Sequence, residues 1–208
     1  MSAQRLGSDS AANWRNAVSE EFVTLIQHEA AASVIRNFEP ILVPGLCQTP
    51  RYRQTLLQHL RPDDAEALDQ LRMQRQEAVL DKNRPELHIV IDENVIVRRV
   101  GSADIMAEQV NHIRELARRP HITVSIMPKR RGLYPLMRTA YVHLETSTEG
   151  ELLYIEEASG EKIITQTSGP GHGSLTPANY LSRFLEVEQA AQEEATDELL
   201  LQALVAHA

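Results

Sequence analysis

The chain has 208 residues, 42% of them hydrophobic and 24% charged, a balance that suits a single globular domain with a sizeable core. Its formal net charge of −8 works against nucleic-acid binding, which needs a basic footprint on phosphate. No apolar run is long enough for a bilayer, Met1 to Ala12 lack the pattern of a secretory signal, and the single Cys47 supplies neither an internal disulfide nor a cysteine-rich metal site. A cytoplasmic protein with no membrane contact, metal or cofactor is therefore expected.

Residues 1–13 read as a disordered start, and residues 14–208 as one domain. Ala17 to Ala31 has helical spacing, with Phe22, Leu25 and Ile26 on one stripe. Val34 to Val43 is β-branched and bounded by prolines, so it is read as extended. Pro44-Gly45 suggests a type II turn, which requires a positive φ at the glycine. Thr49-Pro50 then opens a helix, threonine as N-cap and proline at the first helical position, with Tyr52, Leu56, Leu57 and Leu60 facing inward. A further helix runs from Pro62-Asp63-Asp64 to about Lys82.

Leu87 to Asp92 is a nearly continuous apolar run, as in a strand buried on both faces. A short helix from Glu93 to Val100 stops at Gly101. Ala103 to Arg118 is amphipathic, with Ile105, Met106, Val110, Ile113 and Ala117 inward. Ile122 to Met127 is a second buried strand, so this stretch forms a β-α-β unit. Thr139 to Thr146, Glu151 to Glu157 and Lys162 to Thr167 read as short strands of an antiparallel meander. Ser168 to Ser174 is a Gly/Pro loop, and Pro177 to His207 is helical with a break near Thr196. The expected fold class is mixed α/β (α+β), with helices packed on one mixed sheet.

Several stretches carry a family resemblance. They are Phe38-Glu39-Pro40, Val43-Pro44-Gly45-Leu46-Cys47-Gln48-Thr49-Pro50-Arg51-Tyr52, Arg72-Met73-Gln74-Arg75-Gln76, and Val90-Ile91-Asp92-Glu93 with Arg98-Arg99-Val100-Gly101. Over roughly residues 14–157 the chain resembles the C-terminal, antitoxin-like effector domain of actinobacterial Xre-type regulators. The segment 175–208 departs from that pattern. The resemblance implies a regulator that meets a small protein partner or a metabolite. No helix-turn-helix fits before Trp14, so specific DNA binding is not expected.

Candidate site residues follow from charge and shape. Arg72, Arg75 and Gln76 share one turn of helix. Asp92-Glu93 ends a strand close to Arg98-Arg99, either as a structural ion pair or as a polar anchor for a ligand. In the meander, Tyr141 and His143 point one way along their strand, while Tyr154 and Glu156 share a side of the next. If these polar faces line one cavity, they give aromatic walls, an acid and an imidazole. The ligand-binding candidates are Gln48, Tyr52, Arg72, Arg75, Arg98, Arg99, Tyr154 and Glu156. For a cofactor-independent enzyme of secondary metabolism, an isomerase or cyclase, Glu93, Tyr141 and His143 are the catalytic candidates. The leucine-rich helices from Pro177 to His207, with an open face near Trp14 and Phe22, suggest a homodimer.

Overall fold

A computed structural model describes residues 14–80, 85–148, 150–165, 176–193 and 195–207. The expected disordered start at 1–13, the Gly/Pro loop at Ser168 to Ser174 and the helix end at Lys82 lie outside them. In chain order the elements are α1 (Glu20–Glu29), β1 (Ala32–Glu39), α2 (Pro50–Leu60), α3 (Ala65–Val79), β2 (Glu86–Asp92), α4 (Glu93–Val97), α5 (Ala103–Leu116), β3 (Ile122–Met127), β4 (Ala140–Thr146), β5 (Gly150–Glu157), β6 (Gly160–Thr165), α6 (Pro177–Gln192) and α7 (Thr196–His207). Short 3-10 turns occupy Gly45–Cys47, Pro62–Asp64 and Lys129–Arg131. The fold is α+β.

The six strands form one mixed sheet in the order β3-β2-β1-β4-β5-β6. β1 pairs parallel with β2, and β2 parallel with β3, through the expected β-α-β crossover. β4, β5 and β6 are the expected antiparallel meander, joined to β1 along β4. One half of the sheet is thus parallel and the other antiparallel, with β1 at the seam.

Both faces are covered. On the first, Ile35, Leu87, Ile89, Ile91, Ile122, Val124, Ile126, Val142 and Leu144 pack with α1, α2, α5 and α7 in the larger core. On the second, Phe38, Val90, Met127, Tyr141, Leu153, Ile155 and Ile164 meet Tyr180, Phe184, Val187 and Ala191 of α6. β2 and β3 read as unbroken apolar runs because they lie between these layers.

Helix starts follow local chemistry. The Ser19 hydroxyl accepts from Phe22 N at 3.0 Å and Ser102 from Ile105 N at 3.3 Å, so each satisfies an orphan donor of the first turn. Gly101 ends the α4 segment with φ 70°, and an added Cβ there would meet Ile105 Cδ1 at 2.9 Å, so only glycine fits.

Some expectations are corrected. Gly45 does not have a positive φ; it starts a 3-10 turn, so the type II turn is replaced by a tighter i to i+3 bond from Cys47 N to Pro44 O at 2.8 Å. Leu60 is 55% exposed because α2 ends there, beyond its packing partner. Leu116, not Ala117, takes the last inward position of α5. Trp14 is buried against Ala17, Ile26, Leu57, Leu68 and Leu71, and Phe22 packs partly buried beside them, so that end is not open.

α7 docks on its own chain. Leu199, Leu200 and Ala203 enter the larger core, His207 bonds through Nε2 to Ile96 O at 2.8 Å, and Arg114 Nε donates to Asp197 Oδ1 at 2.8 Å. Half of the leucine stripe that suggested self-association is therefore already buried, with Leu201 and Val205 left exposed.

Candidate functional site

The first face of the sheet changes character near the ends of β1 and β5. Asn37, Val142, Tyr154 and Ile163 form one row across β1, β4, β5 and β6. Two residues further along β1 on the same face comes Glu39, while Ala140, Glu156 and Glu161 form the matching row on β4, β5 and β6. The small Ala140, on β4, stands between the strands that carry Glu39 and Glu156. This is the carboxyl end of the parallel half of the sheet, where α/β sheets commonly open a crevice.

α1 roofs one end, with the Phe22 ring 6.0 Å from that of Tyr154. The facing wall comes from the Val43–Pro50 segment, α2 and α3. Gln48 Nε2 donates to Val43 O at 2.7 Å. Gln109 joins Cys47 O and Thr49 N, at 2.7 and 2.8 Å, and Gln76 Nε2 reaches Gly45 O and Gln48 O, each at 2.9 Å. Arg53 pairs with Asp69 and donates to Gln76 Oε1 at 3.1 Å. These amides replace the regular pairing that an irregular buried segment lacks. Thr49 caps α2, its hydroxyl accepting from Tyr52 N at 3.4 Å.

Two arginines one turn apart on α3 have different partners. Arg75 forms a buried two-point ion pair with Glu29, at 2.8 and 3.0 Å, and lies 4.8 Å above the Phe22 ring. Arg72 donates only to a neutral atom, Gln48 Oε1 at 2.9 Å, and no carboxylate among the described residues lies within ion-pair distance of it. Burial, then Arg75 and Arg53, pull its pKa down to about 10, while Glu156 and Asp69 act the other way.

The carboxylates opposite are perturbed in the complementary sense. Glu39 is held well above the usual carboxylate range by burial and by Glu156, against the pull of Arg72. Glu156 is raised by burial and by Glu161, against Tyr154, Arg75 and Arg72. Both keep solvent contact, Glu156 more than Glu39. Two further polar groups face the same way. Asn37, 8% exposed, has a buried Oδ1 with no hydrogen-bond partner. The Tyr154 hydroxyl, on a side chain 1% exposed, lies against the carboxylates of Glu156 and Glu161, and burial together with these two raises its pKa. Tyr52 accepts from Val43 N at 3.4 Å; burial raises its phenol, and Glu39, Arg72 and Arg98 act on it as well. Burial and Glu39 push the Cys47 thiol up to about 12, which keeps it protonated and unreactive.

Of the sequence candidates, Tyr52, Arg72, Tyr154 and Glu156 meet here. Gln48 positions Arg72, and Arg75 is engaged by Glu29. Arg98 is exposed and reaches the site only through its charge on Tyr52. Arg99 lines a separate open groove with Gln54, Thr55, His59 and Gly101.

The catalytic candidates are not brought together. Glu93 accepts from Lys129 N at 2.9 Å and pairs with Lys129 Nζ at 3.1 Å, which anchors the turn after β3. Tyr141 and His143 are fully buried on the opposite face of the sheet. The pairing of Val142 with Tyr154 places Tyr154 and Glu156 on one side and Tyr141 and His143 on the other, so the polar faces of β4 and β5 share no cavity. Burial also lowers the His143 pKa, which keeps the ring neutral.

Asn37, Glu39 and Glu161 were not read as site residues. The available signal was a charged residue at the end of an apolar strand, in Phe38-Glu39-Pro40.

The sequence pattern of a domain of unknown function, DUF5753, matches residues 22–169. The chain belongs to this family. The DUF5753 match runs from within α1 through the whole sheet, and so includes the Val43–Pro50 segment, Arg72, Glu39 and Glu156; α6 and α7 follow it. The family is commonly associated with Xre-type regulators. No curated protein and no solved structure matches the chain. Among the described residues no helix of this DUF5753 protein is long and apolar enough to cross a membrane.

Proposed function

We propose that this DUF5753 domain is a regulator-derived module that binds a small molecule and does not bind nucleic acid. The observation that carries the reading is the cluster of charges without ion-pair partners at the carboxyl end of the parallel strands. Among the described residues Arg72 has no acid within ion-pair distance and Glu39 and Glu156 have no base within it, yet Arg72 acts on both carboxyl groups. Structural ion pairs close up, as Arg75 and Glu29 do; charges held apart are the usual arrangement of a ligand site. The antitoxin-like and actinobacterial assignment belongs to the same reading, supported by motif residues that build the wall. So do a cytoplasmic place, a small protein partner for the regulator and a two-fold dimer using Leu185, Leu201 and Val205.

The absence of DNA binding is supported by charge pairing. Arg51 meets Glu108, Arg36 meets Glu145, Arg114 meets Asp197 and Arg131 meets Glu193, so few cations are left to displace counterions. The test is ligand-observed NMR of a metabolite panel against the wild-type protein and Arg72→Met, with duplex DNA titrated in parallel at physiological salt. Metabolite signals should broaden with the wild type and not with the variant, and DNA anisotropy should stay flat. Sequence-selective DNA binding would refute the reading.

One observation favours a second reading, a cofactor-independent catalyst of isomerisation or cyclisation. Glu39 and Glu156 are neighbouring carboxyl groups, each raised by burial first, Glu39 also by Glu156 and Glu156 also by Glu161, and two carboxyls in unlike surroundings are what proton donation and acceptance need. Turnover that vanishes in Glu39→Gln and persists in Glu93→Gln would support it.

A further inference from the structure

Open grooves at the two ends of α2 carry opposite charge. At its start, Glu108 and Glu115 of α5 line a groove beside Thr49 and Pro50. Toward its end lies a larger groove of about 800 Å³, between the outer side of α2 and the Arg99–Gly101 segment that leads into α5. Arg99 and His59 line this second groove, and no carboxylate does.

Its frame is fixed by packing. Leu56 and Val100, on the floor, belong to or rest on the larger core. Gly101 holds the far wall tight against α2, since a Cβ there would lie 3.1 Å from Thr55 Cγ2. Leu60, one helical turn beyond Leu56, is 55% exposed and prolongs the apolar strip past the end of the groove. A lone exposed leucine is ordinary on a protein surface; here it continues an apolar floor that is bordered by cations.

Those cations are unlike their neighbours. Arg51, Arg53 and Arg61, also on or beside α2, are paired with Glu108, Asp69 and Asp64. Arg98 and Arg99 are exposed and form no ion pair or hydrogen bond with any described residue. The acids of this side are already engaged: Asp69 holds Arg53 and accepts from Gln54 Nε2 at 3.2 Å, and Glu108 holds Arg51. Asp104, in the first turn of α5, stands outside the lining. In a chain of net charge −8, this is a local reversal of sign beside apolar surface.

The combination restricts the occupant. A small inorganic anion would use the arginines and leave the floor wet. A purely apolar segment would use the floor and gain nothing from the arginines. A segment that carries both carboxylates and an aliphatic side chain uses both. Gln54 and Gln58, one turn apart on α2, offer amide donors and acceptors to its backbone.

We propose that this groove docks a short acidic segment of a partner protein, with an aliphatic side chain over Leu56 and Val100 and carboxylates on Arg98 and Arg99. It gives the small protein partner of the reading above a place and a charge. The groove shares no lining residue with the Arg72 cluster, so the metabolite reading stands or falls separately.

The experiment is fluorescence anisotropy of short labelled peptides with the full chain: one of glutamate and leucine, one of glutamate and serine, one of lysine and leucine. Labelled duplex DNA and pyrophosphate competition complete the set. The glutamate–leucine peptide should saturate, the glutamate–serine peptide should bind at least about tenfold more weakly for want of one buried leucine, and the lysine–leucine peptide should not bind. Amide signals that shift on binding should lie between Gln54 and Leu60 and between Arg98 and Ser102. Arg98→Ala with Arg99→Ala should weaken the complex about two- to thirtyfold, the range for two exposed ion pairs. Arg98→Glu with Arg99→Glu should reverse the preference and capture the lysine–leucine peptide. Both arginines are exposed, so these variants should melt with the wild type, which separates lost docking from lost folding.

No binding of the glutamate–leucine peptide would overturn the inference. So would equal binding by the wild type and the charge-reversed chain, or shifts centred on the acid-lined groove at the start of α2. DNA or pyrophosphate held by the same arginines more tightly than the peptide would assign them to phosphate and overturn it as well.

Discussion

The two faces of the central sheet carry similar residue types to opposite ends. On the second face, Tyr141, His143 and Arg36 lie under or beside α6, and Tyr141 is ringed by Phe38, Tyr180 and Phe184 at centroid distances of 5.0 to 6.4 Å. Orphan polar atoms exist here too, on Tyr141 and His143. The Tyr141 hydroxyl is enclosed by close-packed rings, and His143 lies beside Glu151 and the Arg36–Glu145 ion pair, charges that are already paired. On the first face, the orphan Oδ1 of Asn37 and the Tyr154 hydroxyl adjoin carboxylates that keep solvent contact and an arginine with no ion-pair partner among the described residues. An unsatisfied buried polar atom is therefore not by itself a sign of function. It becomes one where unpaired charges of both signs face an accessible space.

The comparison is broken most forcefully from the packed side. Phe184 is fully buried where α6 crosses the sheet. Phe184→Ala should cost about 3–5 kcal/mol, the transfer loss plus the cavity left behind. Denaturant melts measure this directly. A loss below about 1 kcal/mol would mean that the second face is loosely packed and that its buried polar atoms are open to solvent after all.

Glu39 tests the open side, and with the opposite sign. Its folded-state pKa is raised by burial and by Glu156, so the folded chain holds this proton more tightly than the unfolded chain. The stability associated with the protonated form is fully present below the ordinary carboxylate range. It is lost as pH rises through the raised folded-state value. Glu39→Gln carries no such charge. It should be more stable than the wild type at neutral pH by about 1 kcal/mol, a common size for relieving one unfavourable group. The gain should disappear in acid, where the wild-type carboxyl is neutral in both states. Melting curves of both proteins across pH decide it. A constant difference at every pH would show that Glu39 is not perturbed.

Most of the architecture was legible because it depends on local chemistry. The β-branched runs at Leu87 to Asp92 and Ile122 to Met127, the Thr49-Pro50 cap, and the turns of the meander each determine a short stretch without distant help. Side-of-sheet relations were harder to read. The register of β4 on β5 sets Val142 against Tyr154; a shift of one residue would have placed Tyr154 beside Tyr141 and His143. Period-2 patterning shows which residues of one strand share a face, but not which face of the next strand they join. Glu39 escaped notice for a related reason. Its importance comes from Arg72 and Glu156, 33 and 117 positions away in the chain, and nothing in its own segment announces them.

The smallest expected effect separates the two faces most finely. The Tyr141 hydroxyl is buried with no hydrogen-bond partner, and burial together with Tyr180 pushes its pKa far up, so it stays protonated at any working pH. Its ring supplies the packing, while its oxygen supplies an unmet desolvation cost. Tyr141→Phe keeps the ring and removes the oxygen, so stability should stay the same or rise by less than about 1 kcal/mol. The corresponding change on the other face, Tyr154→Phe, removes a hydroxyl that borders Glu156 and Glu161. It should weaken metabolite binding while Tyr141→Phe leaves it unchanged. Melts and titrations of the two variants side by side supply the measurement. Equal loss of binding in both would show that the sheet transmits between its faces. Loss in Tyr141→Phe alone would return the site to the face under α6.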